Sequence, residues 1–277
     1  MRYSRQQPKR FYWWRWLLGG LILIVGGLVI FWCLNPNWLD QKEADLRVQK
    51  ANRMPITTQA VTATQLQTRA HHGRATNQAA PGTAYGDSSD QTGDISPAHL
   101  KKDAKAGYPL YKRGEIAMPQ QPGLQTPIHV AIFEGTSVTA LAYGAGTAKP
   151  NEKMGHGNYA LSAHNMADNV TYFSPLQSRL SANQRPYAYV TNKRVIYRYR
   201  IYSQQHDPQG KVIVPLTDVG VLNDPADGRA PQLTLTTCYE VPPDYANATK
   251  RVIVRGELVN QVNWRQAPAT WRALFKS

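Results

Sequence analysis

Two side chains that could act together in nucleophilic catalysis lie near the carboxyl end of the sequence. Residues 232–238 alternate between two faces, leucines on one and threonines leading to Cys238 on the other, as in a half-buried strand. Prolines after Cys238 prevent this strand from continuing, and residues 251–259 have the pattern of the next strand. Because consecutive strands usually pair antiparallel, we expect Cys238 and Arg251 at one sheet edge, on strands roughly 5 Å apart.

The chemistry expected of this pair is attack by a thiolate. A cysteine beside a fixed positive charge is more readily deprotonated, and Arg251 could also donate hydrogen bonds to an oxyanion. The alternative for Arg251 is a surface arginine flanking Lys250. Among seven histidines, His164 is the best candidate for proton transfer, because it ends the apolar strand at residues 159–163. Its alternative is a strand-end residue that faces water, and no strand-end carboxylate is evident as a third group.

The elements that must position these side chains are short strands separated by proline and glycine turns. Segments of this kind recur throughout the second half of the chain, at 115–118, 128–133, 140–146, 158–164, 186–191, 194–203, 211–215, 232–238 and 251–259. Residues 170–180 and 216–222 each suggest a helical turn. This pattern predicts a mostly antiparallel barrel or sandwich of about 150 residues, which is enough for one hydrophobic core.

The amino-terminal part of the chain has a different composition. Residues 16–34 contain no charged side chain and, as a helix, would span roughly 28 Å, about one bilayer core. No small-residue cleavage site follows, and basic residues precede the run, so the sequence predicts a retained single-pass anchor with a cytoplasmic amino terminus. Residues 1–15 are then a basic cytoplasmic tail, 35–112 an extracellular stalk, 113–260 the catalytic barrel and 261–277 a carboxy-terminal tail. Residues 43–51 suggest a short helix next to the anchor, and the stalk is otherwise predicted to be flexible, because residues 68–92 are too polar to form a core.

Charge and cysteine content narrow the possible partners. The formal net charge is +14, of which five basic residues before the predicted anchor supply +5, leaving +9 on the rest of the chain. Outside the membrane such a charge suits anionic lipid headgroups and acidic wall polymers rather than nucleic acid, and the alternative is that it serves only ordinary solvation and solubility. Cys33 falls within the predicted anchor, so it cannot form a disulfide with Cys238. A single cysteine outside the cell is a candidate reactive thiol.

Three motifs resemble those of sortases, the transpeptidases of Gram-positive bacteria. The run Leu-Thr-Leu-Thr-Thr-Cys ending at Cys238 is similar to the family's Thr-Leu-any-Thr-Cys signature, and Arg251 lies thirteen residues further on, where the family's arginine is expected. His164 in Tyr-Ala-Leu-Ser-Ala-His-Asn matches the family's histidine. The resemblance covers about residues 113–258 and is strongest to class A, because Thr236 replaces the serine usual in class B and no class C lid motif occurs.

This resemblance implies an eight-stranded sortase barrel with short helices and a substrate that bears a Leu-Pro-any-Thr-Gly sorting signal. Cys238 would attack the Thr–Gly bond, Arg251 and the N–H of Tyr239 would stabilise the oxyanion, and His164 would transfer protons. Ala163, Thr234 and Thr236 would line the substrate groove, with the 219–229 loop as one wall. The acyl group would pass to the amine of a lipid-linked cell-wall precursor, without a cofactor.

A metal is not predicted, although some class A members use calcium bound by acidic residues. The corresponding loops here offer only Glu152 on one side and Asp224 and Asp227 on the other. Two other functions stay open on the sequence alone. One is a membrane-anchored cysteine peptidase that only hydrolyses its substrate, and the other is a basic wall-binding module without catalysis.

Overall fold

The computed structural model describes residues 13–34, 38–58, 97–150, 152–166, 168–178, 180–181, 184–202, 211–215, 218, 220–239 and 248–276. The chain divides into two compact units, residues 1–39 and 40–277. The stretch predicted to be most flexible, residues 68–92, lies outside the described residues.

The first unit contains helix α1 (Trp13–Leu34), which covers the predicted anchor. Its large apolar side chains, including Leu21, Leu23 and Ile24, are exposed. Among the helices of the described ranges, none has both the length and the apolar character that crossing a membrane requires. The predicted membrane span is therefore not confirmed.

The second unit is built on a closed β-barrel. Within the described ranges nine strands form one sheet: β1 (Lys112–Met118), β2 (Ile128–Phe133), β3 (Ala145–Thr147), β4 (Asn158–Ser162), β5 (Tyr187–Thr191), β6 (Val195–Ile201), β7 (Lys211–Pro215), β8 (Gln232–Tyr239) and β9 (Lys250–Asn263). The order β6-β5-β1-β2-β3-β4-β8-β9 returns to β6, so eight of these strands close the barrel, and β7 pairs with β9 as a ninth. The predicted eight-stranded barrel is confirmed.

Strand β9 joins several parts of this barrel because it is 14 residues long. Its first half pairs with β8 on one side and β7 on the other, and its second half pairs with β6. The side chains of β8 alternate as predicted on the face that points into the barrel, where Leu233 and Leu235 are fully buried in the main core. Burial of these leucines directs the intervening Thr234, Thr236 and Cys238 to the opposite face.

One predicted strand is wrong. Residues 140–146 were expected to be extended, but helix α4 (Val138–Tyr143) occupies most of this segment, and only β3 follows it as a strand. The hydroxyl of Ser137 accepts a hydrogen bond from the Ala140 N–H and so caps the helix. The apolar run is short and buried, and periodicity alone does not distinguish a strand from a helix in such a run. Helix α5 (Ser174–Ser178) and a 3₁₀ turn at Gly220–Leu222 lie in the two segments predicted to contain helical turns.

Two helices from the predicted stalk belong to the packed fold. They are α2 (Trp38–Arg53) and α3 (Pro97–Lys105), and their Ala44, Ala51 and Leu100 are 0–1% exposed. The Lys112 ammonium donates to the Asn52 carbonyl (2.6 Å), which ties the end of α2 to β1. At the other end of the chain, α6 (Ala269–Ala273) precedes Phe275, which is buried against Tyr189 and Ile196.

Candidate active site

The register of β8 and β9 brings two of the predicted site residues together. Cys238 lies directly opposite Arg251 in this antiparallel pair. Side chains at such positions project from the same face, with Cβ atoms about 5 Å apart. Cys238 is 4% exposed and Arg251 is 3% exposed. The alternative reading of Arg251 as a surface arginine is therefore excluded.

His164 follows strand β4, which pairs with β8 on the side opposite β9. Strand β4 runs parallel to β8 with Ser162 paired to Thr236, and the Ala163 N–H donates to the Thr236 carbonyl (3.1 Å). His164 lies two residues beyond Ser162, the end of β4, as Cys238 lies two beyond Thr236, so continuation of the same register would bring the histidine level with the cysteine. It is 3% exposed, which excludes the alternative of a side chain facing water. Three buried residues, His164, Cys238 and Arg251, thus lie on or just beyond three adjacent strands.

The charge of Arg251 is kept in a largely dry environment. Burial lowers the pKa of this guanidinium to about 10, so it stays protonated at neutral pH. A desolvated cation acts more strongly on a nearby negative charge than a hydrated one does, because less water screens it. The position therefore suits stabilisation of a thiolate or of an oxyanion.

Tyr172 supports the histidine and was not singled out from the sequence. Its ring packs edge-on against the His164 ring, with centroids 6.0 Å apart and planes at 67°. The Tyr172 hydroxyl donates to the Ala142 carbonyl (2.7 Å), and burial raises the pKa of Tyr172 to about 12. The Phe173 N–H donates to the His164 carbonyl (3.1 Å). These contacts hold the ring and backbone of His164. They come from the loop at residues 172–173, which folds back onto His164, and sequence periodicity does not reveal such a contact.

The predicted substrate-contact residues lie along the same strands. Ala163 is 6% exposed and Thr236 is 2% exposed, while Tyr239 is partly exposed opposite Lys250. Thr234 has no exposed surface, and its hydroxyl donates to the Asn158 side-chain carbonyl (2.7 Å). Contact of these residues with a substrate stays a prediction.

Lys149 connects the two loops whose acidic residues were considered as calcium ligands. The Lys149 ammonium donates to the Leu222 carbonyl (2.8 Å) and to Asp224 (3.0 Å), and it lies 3.7 Å from Glu152. Within the described part of the chain, no three histidine, cysteine or acidic side chains are grouped so that they could hold a metal ion. This donor set, with an ammonium group between the carboxyls, does not fit calcium.

Glu152 gives a prediction about stability. Burial raises the pKa of this carboxyl from 4.5 to about 8, and its side chain is 4% exposed. Between these two pH values the folded protein keeps a proton that the unfolded chain releases, so folding stability falls as the pH rises. We expect the free energy of unfolding of the wild type to decrease by at most about 1.4 kcal/mol per pH unit relative to Glu152→Gln.

Denaturant unfolding of both proteins between pH 5 and 8 measures this difference. Glutamine keeps the oxygen that accepts the Ala160 N–H (3.0 Å) but does not titrate. The exposed Glu257 provides the matched control, because Glu257→Gln makes the same chemical change on the protein surface. A constant difference for Glu152→Gln would contradict the prediction.

Comparison with known proteins gives a consistent result. The sortase-domain family model matches residues 121–259. Sortase A of Streptococcus agalactiae is 35% identical over 150 residues, which are 52% of either chain, and Sortase A of Listeria monocytogenes is 29% identical over 145 residues, 52% of this chain and 55% of that one. The chain thus spans about half the length of the curated relatives it matches. The crystal structure of Listeria monocytogenes sortase A has a TM-score of 0.47 at 24% identity, covering 59% of this chain and 96% of that one.

Proposed function

Because the chain belongs to the sortase family, we propose that it is a class A cysteine transpeptidase that cleaves a Leu-Pro-any-Thr-Gly sorting signal. The observation that supports the proposal is that His164, Cys238 and Arg251 are all buried, with Cys238 opposite Arg251 in the pairing of β8 and β9 and His164 two residues after the end of β4. Each of them has a chemical role that acyl transfer needs: a proton carrier, a nucleophile and an oxyanion donor.

In the first half of the proposed reaction, the Cys238 thiolate attacks the carbonyl carbon of the threonine in the sorting signal. A carbon–sulfur bond forms, and the carbonyl oxygen becomes an oxyanion that accepts hydrogen bonds from the Arg251 guanidinium and the Tyr239 N–H. When the carbon–nitrogen bond breaks, His164 gives a proton to the departing glycine amine. The product is a thioacyl enzyme.

In the second half, the amine of a cell-wall precursor attacks the thioester. His164 takes the proton from this amine, a new amide bond forms and the Cys238 thiolate leaves. The thioester keeps the acyl group activated between the two halves, so the reaction needs no nucleotide. Peptide recognition is proposed to use Ala163, Thr234 and Thr236 along the two parallel strands, with the 219–229 loop beside them.

We also propose that the catalytic unit works at the outer face of the cytoplasmic membrane, held there by residues 16–34. The support is the uncharged sequence of this run, the basic residues before it and the exposed apolar side chains of α1. Recovery of the full chain in the soluble fraction after cell lysis would contradict this anchoring.

The test of the reaction uses a Leu-Pro-any-Thr-Gly peptide whose scissile bond is replaced by a thiol-trapping group. Mass spectrometry should find one adduct, on Cys238. With the unmodified peptide, adding a glycine-based amine should convert the product from the free acid to the amide. An adduct with only the free acid in both conditions would indicate a peptidase, and no adduct would indicate a wall-binding module. A peptide with scrambled sequence is the matched control.

A further inference from the structure

Asn165, which directly follows His164, contacts the backbone of Cys238. It is 1% exposed. Its side-chain N–H₂ group donates one hydrogen bond to the Cys238 carbonyl (3.1 Å) and another to the side-chain carbonyl of Gln177 on α5 (2.5 Å). One carboxamide therefore connects the histidine segment, the cysteine strand and a neighbouring helix.

This hydrogen bond lies where the ladder between β4 and β8 would continue. In a parallel pair, successive N–H donors of one strand meet every second carbonyl of the other. The Ala163 N–H reaches the Thr236 carbonyl, so the next bond of a regular ladder would join the Asn165 N–H to the Cys238 carbonyl. At this position the Asn165 side chain donates a hydrogen bond to the Cys238 carbonyl. The amide group thus joins the two chain segments beyond the end of β4.

The backbone near Asn165 has a second set of partners. Asn165 forms an isolated antiparallel bridge with Tyr172, and the His164 carbonyl accepts the Phe173 N–H. The main chain therefore turns toward residues 172–173 at the position of the histidine. At the start of this turn, the Asn165 side chain is hydrogen-bonded to Cys238 on β8.

We propose that Asn165 is a positioning residue that fixes the separation of His164 and Cys238 through the hydrogen bond from its side-chain amide to the Cys238 carbonyl. The inference rests on the proposed function, since it assigns Asn165 to the support of the same reaction. Gln177 completes the arrangement, because its side-chain carbonyl accepts the second N–H of the amide and so sets its orientation.

The test compares Asn165→Ala and Asn165→Asp with the wild type. Alanine removes the donor, and aspartate keeps the shape but places a carboxylate oxygen against the Cys238 carbonyl. We expect kcat to fall about 10- to 100-fold in the alanine variant and further in the aspartate variant, with KM changing less than about threefold, because a small misplacement of reacting groups has this effect. Circular dichroism and thermal melting establish that each variant is folded.

The second measurement is the rate of Cys238 alkylation by iodoacetamide as a function of pH. If Asn165 only stabilised the fold, its replacement would leave this pH dependence unchanged. In Asn165→Ala the apparent thiol pKa should rise, because Cys238 is held less firmly opposite the positive charge of Arg251. Asn260→Ala, at an exposed position of β9, should match the wild type in kcat and in its alkylation profile. A folded Asn165→Ala protein with wild-type kcat and an unchanged alkylation profile would overturn the proposal.

If the Asn165 variants do not fold, Gln177→Ala decides the question. It leaves Asn165 in place but removes the acceptor that orients the amide, and we expect a fall in kcat of about 3- to 10-fold; wild-type kcat would reject the proposal.

Alkylation of Cys238 does not require transpeptidation, so a failure of the proposed function can be distinguished from a failure of the role proposed for Asn165. A wild-type protein that forms no acyl enzyme rejects that function, whereas the alkylation profiles still judge the role of Asn165.

Discussion

Replacement of Cys238 by alanine is expected to abolish cleavage and transfer of the sorting-signal peptide, with a loss of about 10⁴-fold or more in kcat. No covalent acyl intermediate can form without the sulfur, and neither His164 nor Arg251 can replace it as a nucleophile. The fold should persist, because the substitution removes one small buried group at a strand end and costs about 1 kcal/mol. Peptide cleavage followed by chromatography, together with a thermal melt, measures both effects.

The other cysteine of the chain is the matched control for this experiment. Cys33 lies on α1 and is exposed, whereas Cys238 is buried opposite Arg251. Cys33→Ala should therefore keep wild-type kcat and KM. Full activity of Cys238→Ala would reject the assignment of the nucleophile.

Replacement of Arg251 by lysine is expected to lower kcat about 10²- to 10³-fold, although a positive charge is retained. Lysine has no planar fork of N–H donors, so it cannot present two directed hydrogen bonds to an oxyanion. KM should change little, because the lost interaction belongs to the transition state rather than to the bound peptide. Steady-state kinetics with the sorting-signal peptide separates the two parameters.

The same variant should also respond differently to pH. Burial already lowers the pKa of Arg251 to about 10, and burial lowers the pKa of a lysine in the same way. The lysine variant should therefore lose its residual activity on the alkaline side at a lower pH than the wild type does. Arg265→Lys, at an exposed position, is the matched control and should leave kcat unchanged. Equal kcat for Arg251→Lys and wild type would remove Arg251 from the oxyanion role.

Much of the site geometry could be predicted because it follows from strand alternation. The leucines of β8 mark the face that packs into the main core, and alternation places Cys238 on the other face. That face is buried as well, rather than exposed as expected for a half-buried strand. Antiparallel pairing of consecutive strands then places Arg251 opposite the cysteine without any long-range information. His164 was harder to place, because β4 and β8 are parallel neighbours far apart in sequence, and only the family motif indicated that they meet.

The features that escaped prediction depend on contacts that leave no periodic pattern. The Asn165 side chain donates a hydrogen bond to the Cys238 carbonyl, 73 positions away in the sequence. Helix α2 includes the short helix suggested at residues 43–51, but its packing was not predicted, because two buried alanines seven residues apart do not form a recognisable apolar stripe. For α4 the reason is different, since its apolar residues suit a strand equally well and the Ser137 cap alone distinguishes the helix.

Strand β9 carries Arg251 at one end and pairs with β6 at the other. The strand that completes the ring is therefore also the strand that delivers the guanidinium. Any separation of β9 from its neighbours would open the sheet and also remove the guanidinium from its place opposite Cys238. Barrel closure and the placement of Arg251 therefore depend on the same backbone pairing.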